Sequence, residues 1–330
     1  MTDERPLGLP ERPVVVLAGG TGGAKLARGM QDVVGDDLVV LANTGDDVEI
    51  HGGHVSPDPD LVTFWLADRI DERGWGLKDD TFLVMDALRE LGDDVWFNLG
   101  DRDLALCVRR ARRLAEGARL TETLAEAAAA YGVTARVLPP SDDPVRTRVR
   151  ADDRWWPFQE FMIRRAALVA DPGPVQDVAF DGADAASPTP EALQALRTAR
   201  AIVIGPSNPV ISIGPILAVP GIRRALRDAE APVVAVAPLV DGQVLKGPTR
   251  DFLAWAGVGL DAVGVGRVYD GLLDGLLTDE QAEVPGVAVR TTDVLLADPE
   301  ARARVARETL ALCEELGDGS RAVERARGTA

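Results

Sequence analysis

Cysteine and histidine are scarce in this chain, with two of each among 330 residues. Cys107 and Cys313 lie far apart and lack the paired spacing of a zinc site, so we interpret both as buried hydrophobic residues or chance surface thiols. His51 and His54 share a glycine-rich loop, but neither a cysteine nor a third histidine completes a transition-metal site. The sequence therefore favours neither a disulfide framework nor a zinc centre, and the two histidines are expected to make loop or substrate contacts.

Long apolar runs and excess positive charge are also lacking. No window approaches the roughly 18 to 20 uninterrupted apolar residues that span a bilayer, and the start, MTDERPLGLPERP, has neither a basic nor an apolar signal region. The net charge of −17 leaves no excess of Lys and Arg to neutralise nucleic-acid phosphates. We therefore expect a cytoplasmic protein that binds neither membranes nor nucleic acid, and its 46% hydrophobic content is enough for a large core.

Two apolar runs near the start are typical of buried parallel strands. PVVVLAGG, residues 13–20, ends in glycines, AKLARGMQDVV follows with helical spacing, and LVVLAN, residues 38–43, forms the second run. Strand, glycine turn, helix and strand are the opening of a Rossmann-like sheet. The expected fold class is therefore α/β, with a Rossmann-like parallel sheet as its core.

Helical periodicity without a convincing strand signal marks residues 61–130, which we interpret as a helical insertion subdomain. Strand signals return in six later segments: VTARVLP, VRTRV, ARAIVIGP, APVVAVAP, DAVGVGRV and GVAVRTT. Because helices are interleaved with them, residues 13–60 and 131–315 are expected to form a discontinuous core. Residues 316–330 are expected to form a flexible tail.

A glycine loop, GGTGGAKLARG at residues 19–29, contains one of only three lysines in the chain, Lys25. Its place between a strand and a helix favours phosphate binding, because backbone N–H groups and the positive end of the helix dipole meet there. The loop does not match the P-loop, since Ala24 and Leu26 replace its Gly and Ser or Thr, and Lys25 breaks GxGxxG. The sequence predicts a phosphate site of another type, with a tight turn that binds no ligand as the alternative.

Carboxylates follow the second predicted strand, where side chains project at the carboxyl edge of the sheet. The segment NTGDDVEIHGGHVSPDPD, residues 43–60, contains Asn43, Asp46, Asp47, Asp58 and Asp60. Oxygen ligands beside a phosphate loop are typical of Mg²⁺. The alternatives are an Asx turn at the first two aspartates and a helix N-cap within SPDPD.

Two further polar segments interrupt the apolar pattern. In FNLGDRD, residues 97–103, the charged residues form either part of a site or an internal ion pair and helix cap. In GPSNPVISIGP, residues 205–215, Ser207 and Asn208 follow an apolar strand and are bracketed by prolines. Packing alone does not require such residues, so we expect them to contact a ligand at the sheet edge.

Together these segments resemble the 2-phospho-L-lactate transferases of coenzyme F420 biosynthesis, a family that includes phosphoenolpyruvyl-transferring members. GGTGGAKL, NTGDD, SPDPD, RGWGLKDDTF, FNLGDRD, LPPSDDP and GPSNPVISIGPILAVPG occur in that family's order and spacing, over about residues 13–315. The resemblance implies a Rossmann-like core with a helical insertion, dependence on Mg²⁺ and a homodimer. It also implies transfer of a phosphoacid from a guanosine-diphosphate ester to the deazaflavin Fo, with release of GMP.

The resemblance further implies roles for individual residues. The acidic turn with Asp47 would hold the metal, and Asp60 and Asn98 would contact Fo, although many members carry a charged residue in place of Asn98. Asp60 would also orient the attacking hydroxyl and accept its proton. The nucleotide and its diphosphate would be bound by residues of two loops: Thr21, Gly22, Gly23, Lys25, Ser207 and Asn208.

Two other functions compete with the transferase. A non-enzymatic regulator that binds a nucleotide sugar belongs to a related family with a similar glycine loop, but SPDPD and GDRD are not expected in it. An NAD-dependent dehydrogenase could use Asp46 or Asp47 at the ribose, but GxGxxG is broken. The transferred acid also stays open among phospholactate, phosphoenolpyruvate and phosphoglycerate, because these differ by only one small group.

Overall fold

A computed structural model describes residues 8–169, 173–245 and 247–319. These residues form fourteen strands. In chain order the strands are β1 (Val14–Ala18), β2 (Leu38–Ala42), β3 (Val48–Ile50), β4 (Gly53–Val55), β5 (Arg136–Leu138), β6 (Arg146–Ala151), β7 (Arg154–Pro157), β8 (Asp177–Asp181), β9 (Ala201–Ile204), β10 (Val233–Val236), β11 (Leu239–Val240), β12 (Gln243–Val244), β13 (Gly275–Thr278) and β14 (Ala288–Thr291).

The α-helices of the same residues surround the sheet and form the region between β4 and β5. In chain order they are α1 (Gly20–Val34), α2 (Pro57–Leu66), α3 (Leu83–Glu90), α4 (Asp101–Ala115), α5 (Leu120–Ala130), α6 (Phe158–Ile163), α7 (Arg165–Leu168), α8 (Pro190–Thr198), α9 (Gly214–Ala218), α10 (Ile222–Asp228), α11 (Thr249–Trp255), α12 (Ala262–Val268) and α13 (Pro299–Gly319). None of these helices is both long and apolar enough to cross a membrane.

Seven strands form the central sheet, in the order β14-β13-β10-β9-β1-β2-β5, and every neighbouring pair is parallel. The strands β1 and β2 are buried along their whole length because helices cover both faces, as their unbroken apolar runs predict. The expectation of an α/β fold with a Rossmann-like parallel sheet is therefore confirmed.

The direction of the sheet order changes between β1 and β9, because β2 and β5 lie on one side of β1 and the later strands lie on the other. The loops that follow β1 and β9 therefore leave the sheet at neighbouring points, and the helices after them, α1 and α9, pack on opposite faces of the sheet. Such a switch point creates a crevice outside the carboxyl ends of the strands. The glycine loop and the GPSNP loop are the two loops that meet there.

Packing on the two faces of the sheet alternates along β1. Val14, Val16 and Ala18 contribute to one buried apolar cluster with residues of α1 and α13. Val15 and Leu17 contribute to the opposite cluster, which includes residues of α8, α10 and α12. The period of two along a strand thus places one helical layer on each face.

Two expectations about single segments differ from the structure. The prediction of a strand at DAVGVGRV, residues 261–268, is wrong. Asp261 instead caps the helix α12 by accepting a hydrogen bond from the Gly264 N–H at 2.6 Å. VRTRV contributes β6, but β6 pairs with β7 and β8 in a separate antiparallel sheet. Its burial alternates along the strand, which fits a sheet with one covered face.

The helices α2, α3, α4 and α5 occupy the region in which the helical insertion was predicted, and no described strand lies between β4 and β5. The division into a core and an insertion remains a prediction. The expected tail begins inside α13, which extends to Gly319, and residues 320–330 lie outside the described residues.

Candidate active site

The glycine loop and the GPSNP loop contact each other at the switch point. The Gly19 N–H donates a hydrogen bond to the Ser207 hydroxyl at 3.1 Å. A Cβ atom on Gly22 would lie 2.1 Å from the Pro206 carbonyl oxygen, so no larger residue fits between the two backbones there. Glycine at this position is therefore required for the close approach of the loops.

A cavity of about 230 Å³ lies between these loops, and we call it the glycine-loop cavity. Gly19, Gly20, Thr21 and Gly22 form one wall, at the first turn of α1, where backbone N–H groups have no partner within the helix. Among its described lining residues there is no Lys or Arg. The N-terminus of α1 is thus the positive feature of a cavity suited to an anion.

Two buried carboxylates, Asp46 and Asp58, also line the glycine-loop cavity. The Asn43 side-chain amide donates to Asp46 at 3.0 Å and to Asp58 at 2.8 Å, and the Gly20 N–H donates to Asp58 at 2.7 Å. Burial raises the pKa of Asp46 well above its usual range and raises that of Asp58 to about 6. A group of negative charges this close is stable only if some are protonated or balanced by cations.

Asp47 uses its two carboxylate oxygens differently. Its Oδ2 accepts a hydrogen bond from the Ser56 hydroxyl at 2.7 Å and lies 3.0 Å from His54 Nε2. Its Oδ1 is buried and has no hydrogen-bond partner. A carboxylate that is oriented through one oxygen while the other is free has the arrangement expected of a metal ligand.

Asp60 is paired with a buried arginine. Arg110 Nη1 donates to Asp60 Oδ2 at 3.0 Å and to the His54 carbonyl at 3.0 Å, and Arg110 Nη2 donates to Asp60 Oδ1. Although burial lowers the pKa of Arg110, the Asp60 carboxylate raises it overall, so the guanidinium stays charged. Arg110 therefore fixes the orientation of Asp60 and joins α4 to α2.

A second cavity, of about 550 Å³, adjoins the first, and we call it the aromatic cavity. It is lined mainly by apolar side chains, and its polar lining includes Asp60, Asn98 and Asp103. The aromatic residues of its wall are Phe64, Trp75, Trp96, Phe97 and Phe158. This composition suits a flat heteroaromatic molecule with a few polar groups.

The two cavities share three lining residues, Asp58, Phe158 and Met162. Two ligands bound in them would therefore meet at Asp58. A carboxyl group whose pKa is raised to about 6 lies at this junction of the glycine-loop cavity and the aromatic cavity.

Asp60, Asp103 and Cys107 have potential ligand atoms within 4.8 Å of one another. Burial and the charge of Asp60 raise the pKa of Asp103 to about 7. Because Arg110 already balances Asp60, the local charge does not require a metal ion here. Asp103 is therefore a carboxyl group that can be protonated at neutral pH within the wall of the aromatic cavity.

The structure brings most of the predicted site residues to these cavities. Thr21, Gly22, Ser207 and Asn208 line the glycine-loop cavity, and Asp60 and Asn98 line the aromatic cavity. Ser207 and Asn208 also fix the loop, since the Asn208 side-chain oxygen accepts from the Val210 and Ile211 N–H groups.

Three predicted residues line neither cavity. Gly23 faces the Ser207 hydroxyl and Ala18, and Lys25 Nζ lies 5.8 Å from the centre of the Trp65 ring. Asp47 borders a third cavity nearby, together with Asp46, which also lines the glycine-loop cavity.

Sequence reasoning missed several residues of the site. Arg110 occupies an amphipathic, arginine-rich helix in which nothing distinguishes it from exposed arginines, and its partner Asp60 is 50 residues away. Phe158 and Met162 come from α6, the helix that follows β7, and this segment bears no known motif. The aromatic run RWWPFQEF was the only signal that could have drawn attention to it.

Comparisons with known proteins agree with this geometry. Residues 14–308 match the family model described as 2-phospho-L-lactate transferase CofD. A "Phosphoenolpyruvate transferase" of Kitasatospora aureofaciens is 41% identical over 323 residues, which cover 93% of this chain and 99% of that protein. The protein of the same name from Mycobacterium tuberculosis is 39% identical, with 89% and 96% covered.

Solved structures with lower sequence identity show a similar fold. A Bacillus halodurans protein of the UPF0052 family matches with a TM-score of 0.57 at 18% identity, covering 92% of this chain and all of that one. The family match spans most of the chain and includes both loops of the switch point. The chain therefore belongs to the 2-phospho-L-lactate transferase (CofD) family of coenzyme F420 biosynthesis and is an enzyme that transfers a phosphoacid group.

Proposed function

We propose that the enzyme transfers a 2-phospho-L-lactyl or phosphoenolpyruvyl group from a guanosine-diphosphate-linked donor to the deazaflavin Fo. The products would be GMP and coenzyme F420-0 or its dehydro form. The observation that carries the proposal is the shared wall of two different cavities, one at a helix N-terminus and one lined by aromatic rings. A transferase needs this arrangement because its two substrates must meet.

In this proposal the donor diphosphate binds in the glycine-loop cavity. Backbone N–H groups at Thr21 and Gly22 face its phosphates, Gly23 lets the start of α1 approach Ser207, and Ser207 and Asn208 contact the nucleotide. Lys25 would add a cation by moving from the face of Trp65 toward the phosphates.

The acceptor Fo binds in the aromatic cavity, with Asp60 and Asn98 as its polar contacts. Asn98 accepts a hydrogen bond from Arg89 at 2.7 Å, which brings a positive charge to this wall. Asp60 orients the attacking hydroxyl and accepts its proton, since each carboxylate oxygen has lone pairs beyond those used by Arg110. The hydroxyl oxygen forms the new bond to phosphorus while the bond to GMP breaks.

Mg²⁺ fits the acidic turn, and Asp47 is the residue proposed to hold it. The unpartnered Oδ1 of Asp47 supports this assignment, because Ser56 and His54 fix the other oxygen. When bound, Mg²⁺ would stabilise the negative charge of the donor phosphates.

We also propose that the enzyme is a cytoplasmic homodimer, as the resemblance to the family implies.

Simultaneous binding tests the two-cavity arrangement. We expect the protein to bind GDP and Fo at once, so that saturating GDP leaves the dissociation constant of Fo within about twofold, measured by deazaflavin fluorescence. Asp60→Ala should weaken Fo binding while GDP binding, measured by calorimetry, persists. A nucleotide-sugar regulator would not bind Fo, a dehydrogenase would prefer NAD to GDP, and mutual exclusion of GDP and Fo would contradict the arrangement.

A further inference from the structure

The aromatic cavity is apolar at its mouth and acidic in its interior. Three of its described lining residues have large apolar side chains that are 39–41% exposed, and the others are less exposed: the three are Trp75, Met162 and Ile163. The carboxylates Asp58 and Asp60 of the same lining are buried. Adjacent exposed apolar side chains at the rim of a cavity are typical of a surface that a ligand covers.

Trp75 belongs to a short hairpin in the connection between α2 and α3. Ile70 and Leu77 form an antiparallel bridge, and the Asp71 N–H donates a hydrogen bond to the Gly76 carbonyl at 3.1 Å. Leu77 is buried, which anchors the base of the hairpin to the protein. The hairpin therefore holds Trp75 at the mouth of the aromatic cavity without the help of a ligand.

Two glycines and an arginine set the position of the Trp75 ring. Gly74 and Gly76 have φ angles of 81° and 69°, which residues with a Cβ rarely adopt, so the chain turns on both sides of Trp75. The Arg73 guanidinium carbon lies over the indole, 4.3 Å from the ring centre, and Arg73 Nε donates to Asp71 at 2.6 Å. The protein thus covers one face of the indole, and the part of the ring that lines the cavity is available to a ligand.

The proposed acceptor has the same division of polarity as the cavity. Under the proposed function, Fo joins a flat ring system to a hydroxylated chain. The hydroxyl that attacks phosphorus must lie near Asp58, which lines both cavities, so the chain extends into the acidic interior. The ring system then lies at the apolar mouth. The reverse orientation would place the ring against buried carboxylates and leave them without polar partners, which costs free energy.

We propose that Trp75, together with the apolar side chains of α6, binds the ring system of the acceptor at the mouth of the aromatic cavity and so directs its hydroxylated chain toward Asp58 and Asp60. The inference rests on the proposed function and adds a specificity-determining residue to the same active site. It gives a role to the first residues of the segment RGWGLKDDTF, residues 73–82. The enzyme would thereby select acceptors that carry a flat ring system, because a hydroxylated chain alone makes no contact with the mouth.

The variant Trp75→Ala measures the contribution of the indole. We expect the dissociation constant of Fo, measured by deazaflavin fluorescence, to rise at least about tenfold, the effect of a lost aromatic stacking contact, and Trp75→Phe to recover part of the loss. KM for Fo should rise likewise while kcat stays within about threefold and GDP affinity is kept, because the ring is bound equally before and during transfer. Trp155→Ala is the matched control. Trp155 is 37% exposed and has an arginine 5.7 Å from its ring centre, but it lines neither the aromatic cavity nor the two cavities beside it.

A ring system without a chain separates the role of Trp75 from that of Asp60. Lumichrome, a tricyclic flavin fragment that lacks the hydroxylated chain, should lose affinity in Trp75→Ala by a factor similar to that of Fo, and should keep its affinity in Asp60→Ala, which weakens Fo alone. An unchanged dissociation constant of Fo in Trp75→Ala, or equal losses in Trp75→Ala and Trp155→Ala, would overturn the proposal and leave the proposed function intact. Failure of the proposed function would appear differently, as absence of Fo binding by the wild type, and would remove the basis of both.

Discussion

Asp47 is the single residue on which the proposed metal chemistry depends most. We expect Asp47→Asn to reduce turnover by roughly a hundredfold or more, corresponding to the ~3 kcal/mol of a lost electrostatic contact in the transition state. The neutral side chain keeps its shape but loses the charge that would hold Mg²⁺. Steady-state rates at limiting Mg²⁺ check this, with Asp37→Asn, at an exposed carboxylate, as the control. Near-normal activity of Asp47→Asn under those conditions would remove Asp47 from the metal site.

The half-buried side chain of Asp103 gives a prediction for pH. Burial, Asp60 and Asp80 raise its pKa to about 7, and Arg110 opposes them only in part. The unfolded value is near 3.9, so the folded protein binds this proton more tightly. The stability contributed by the proton is complete below the unfolded pKa and is lost as pH rises through about 7. Asp103→Asn should therefore gain melting temperature relative to the wild type between pH 5 and pH 8.

Asp101, two residues earlier, provides a control because its pKa is shifted in the opposite direction. Hydrogen bonds from the Thr81 hydroxyl and the Val84 N–H lower its pKa, so the stability it contributes is present at neutral pH and is lost as pH falls. Asp101→Asn should thus be most destabilising relative to the wild type at pH 8 and less so at low pH. The melting temperatures of both variants and the wild type are measured by calorimetry between pH 5 and pH 8. A difference in melting temperature between Asp103→Asn and the wild type that does not change with pH would contradict the raised pKa of Asp103.

At the scale of elements, the contact between the start of α1 and the loop after β9 shapes the glycine-loop cavity. Gly22→Ala should weaken GDP binding at least about tenfold and destabilise the fold by about 1–3 kcal/mol, because the added Cβ meets the Pro206 carbonyl at 2.1 Å. Gly8→Ala, where no atom lies within 4 Å of the added Cβ, is the control. Calorimetry and denaturant melts measure both effects, and unchanged GDP affinity in Gly22→Ala would show that the loops can separate without consequence.

The elements also show why some of the fold could be predicted. Buried parallel strands are continuous apolar runs, so the sequence alone predicts the strands within residues 13–20 and 38–43. Residues 261–268 alternate valine with glycine in a way that imitates a strand, but the cap at Asp261 starts a helix there. The antiparallel pairing of β6 depends on distant partners, which local pattern does not encode.

Some residues of the candidate site could be predicted from the sequence, and others could not. Thr21, Gly22, Ser207 and Asn208 could be predicted because loops after neighbouring parallel strands must meet at one sheet edge. Arg110 and Phe158 could not be predicted as site residues. Each belongs to a segment that is distant in sequence from the loops of the site, and no local motif marks its contact with the site. Asp103 lay within a recognised segment, but its role required knowledge of its burial.

At the scale of the whole molecule, three contiguous cavities share Phe158 or Asp58 at one end of a parallel sheet. The glycine-loop cavity suits an anionic group, and the aromatic cavity suits a flat ring system. A regulator that binds one nucleotide has no need of the aromatic cavity. The arrangement as a whole is that of an enzyme that joins two substrates.

Product formation tests this central claim most directly. The full-length protein is incubated with Fo, Mg²⁺ and, in separate reactions, the guanosine-diphosphate ester of lactate, enolpyruvate or glycerate. The molecular mass of the deazaflavin product is then measured by mass spectrometry. We predict that at least one donor converts Fo to its phosphoacid adduct with an equal amount of GMP, and that a chelator stops the reaction. Unchanged Fo with all three donors, from folded protein that binds GDP, would contradict the account.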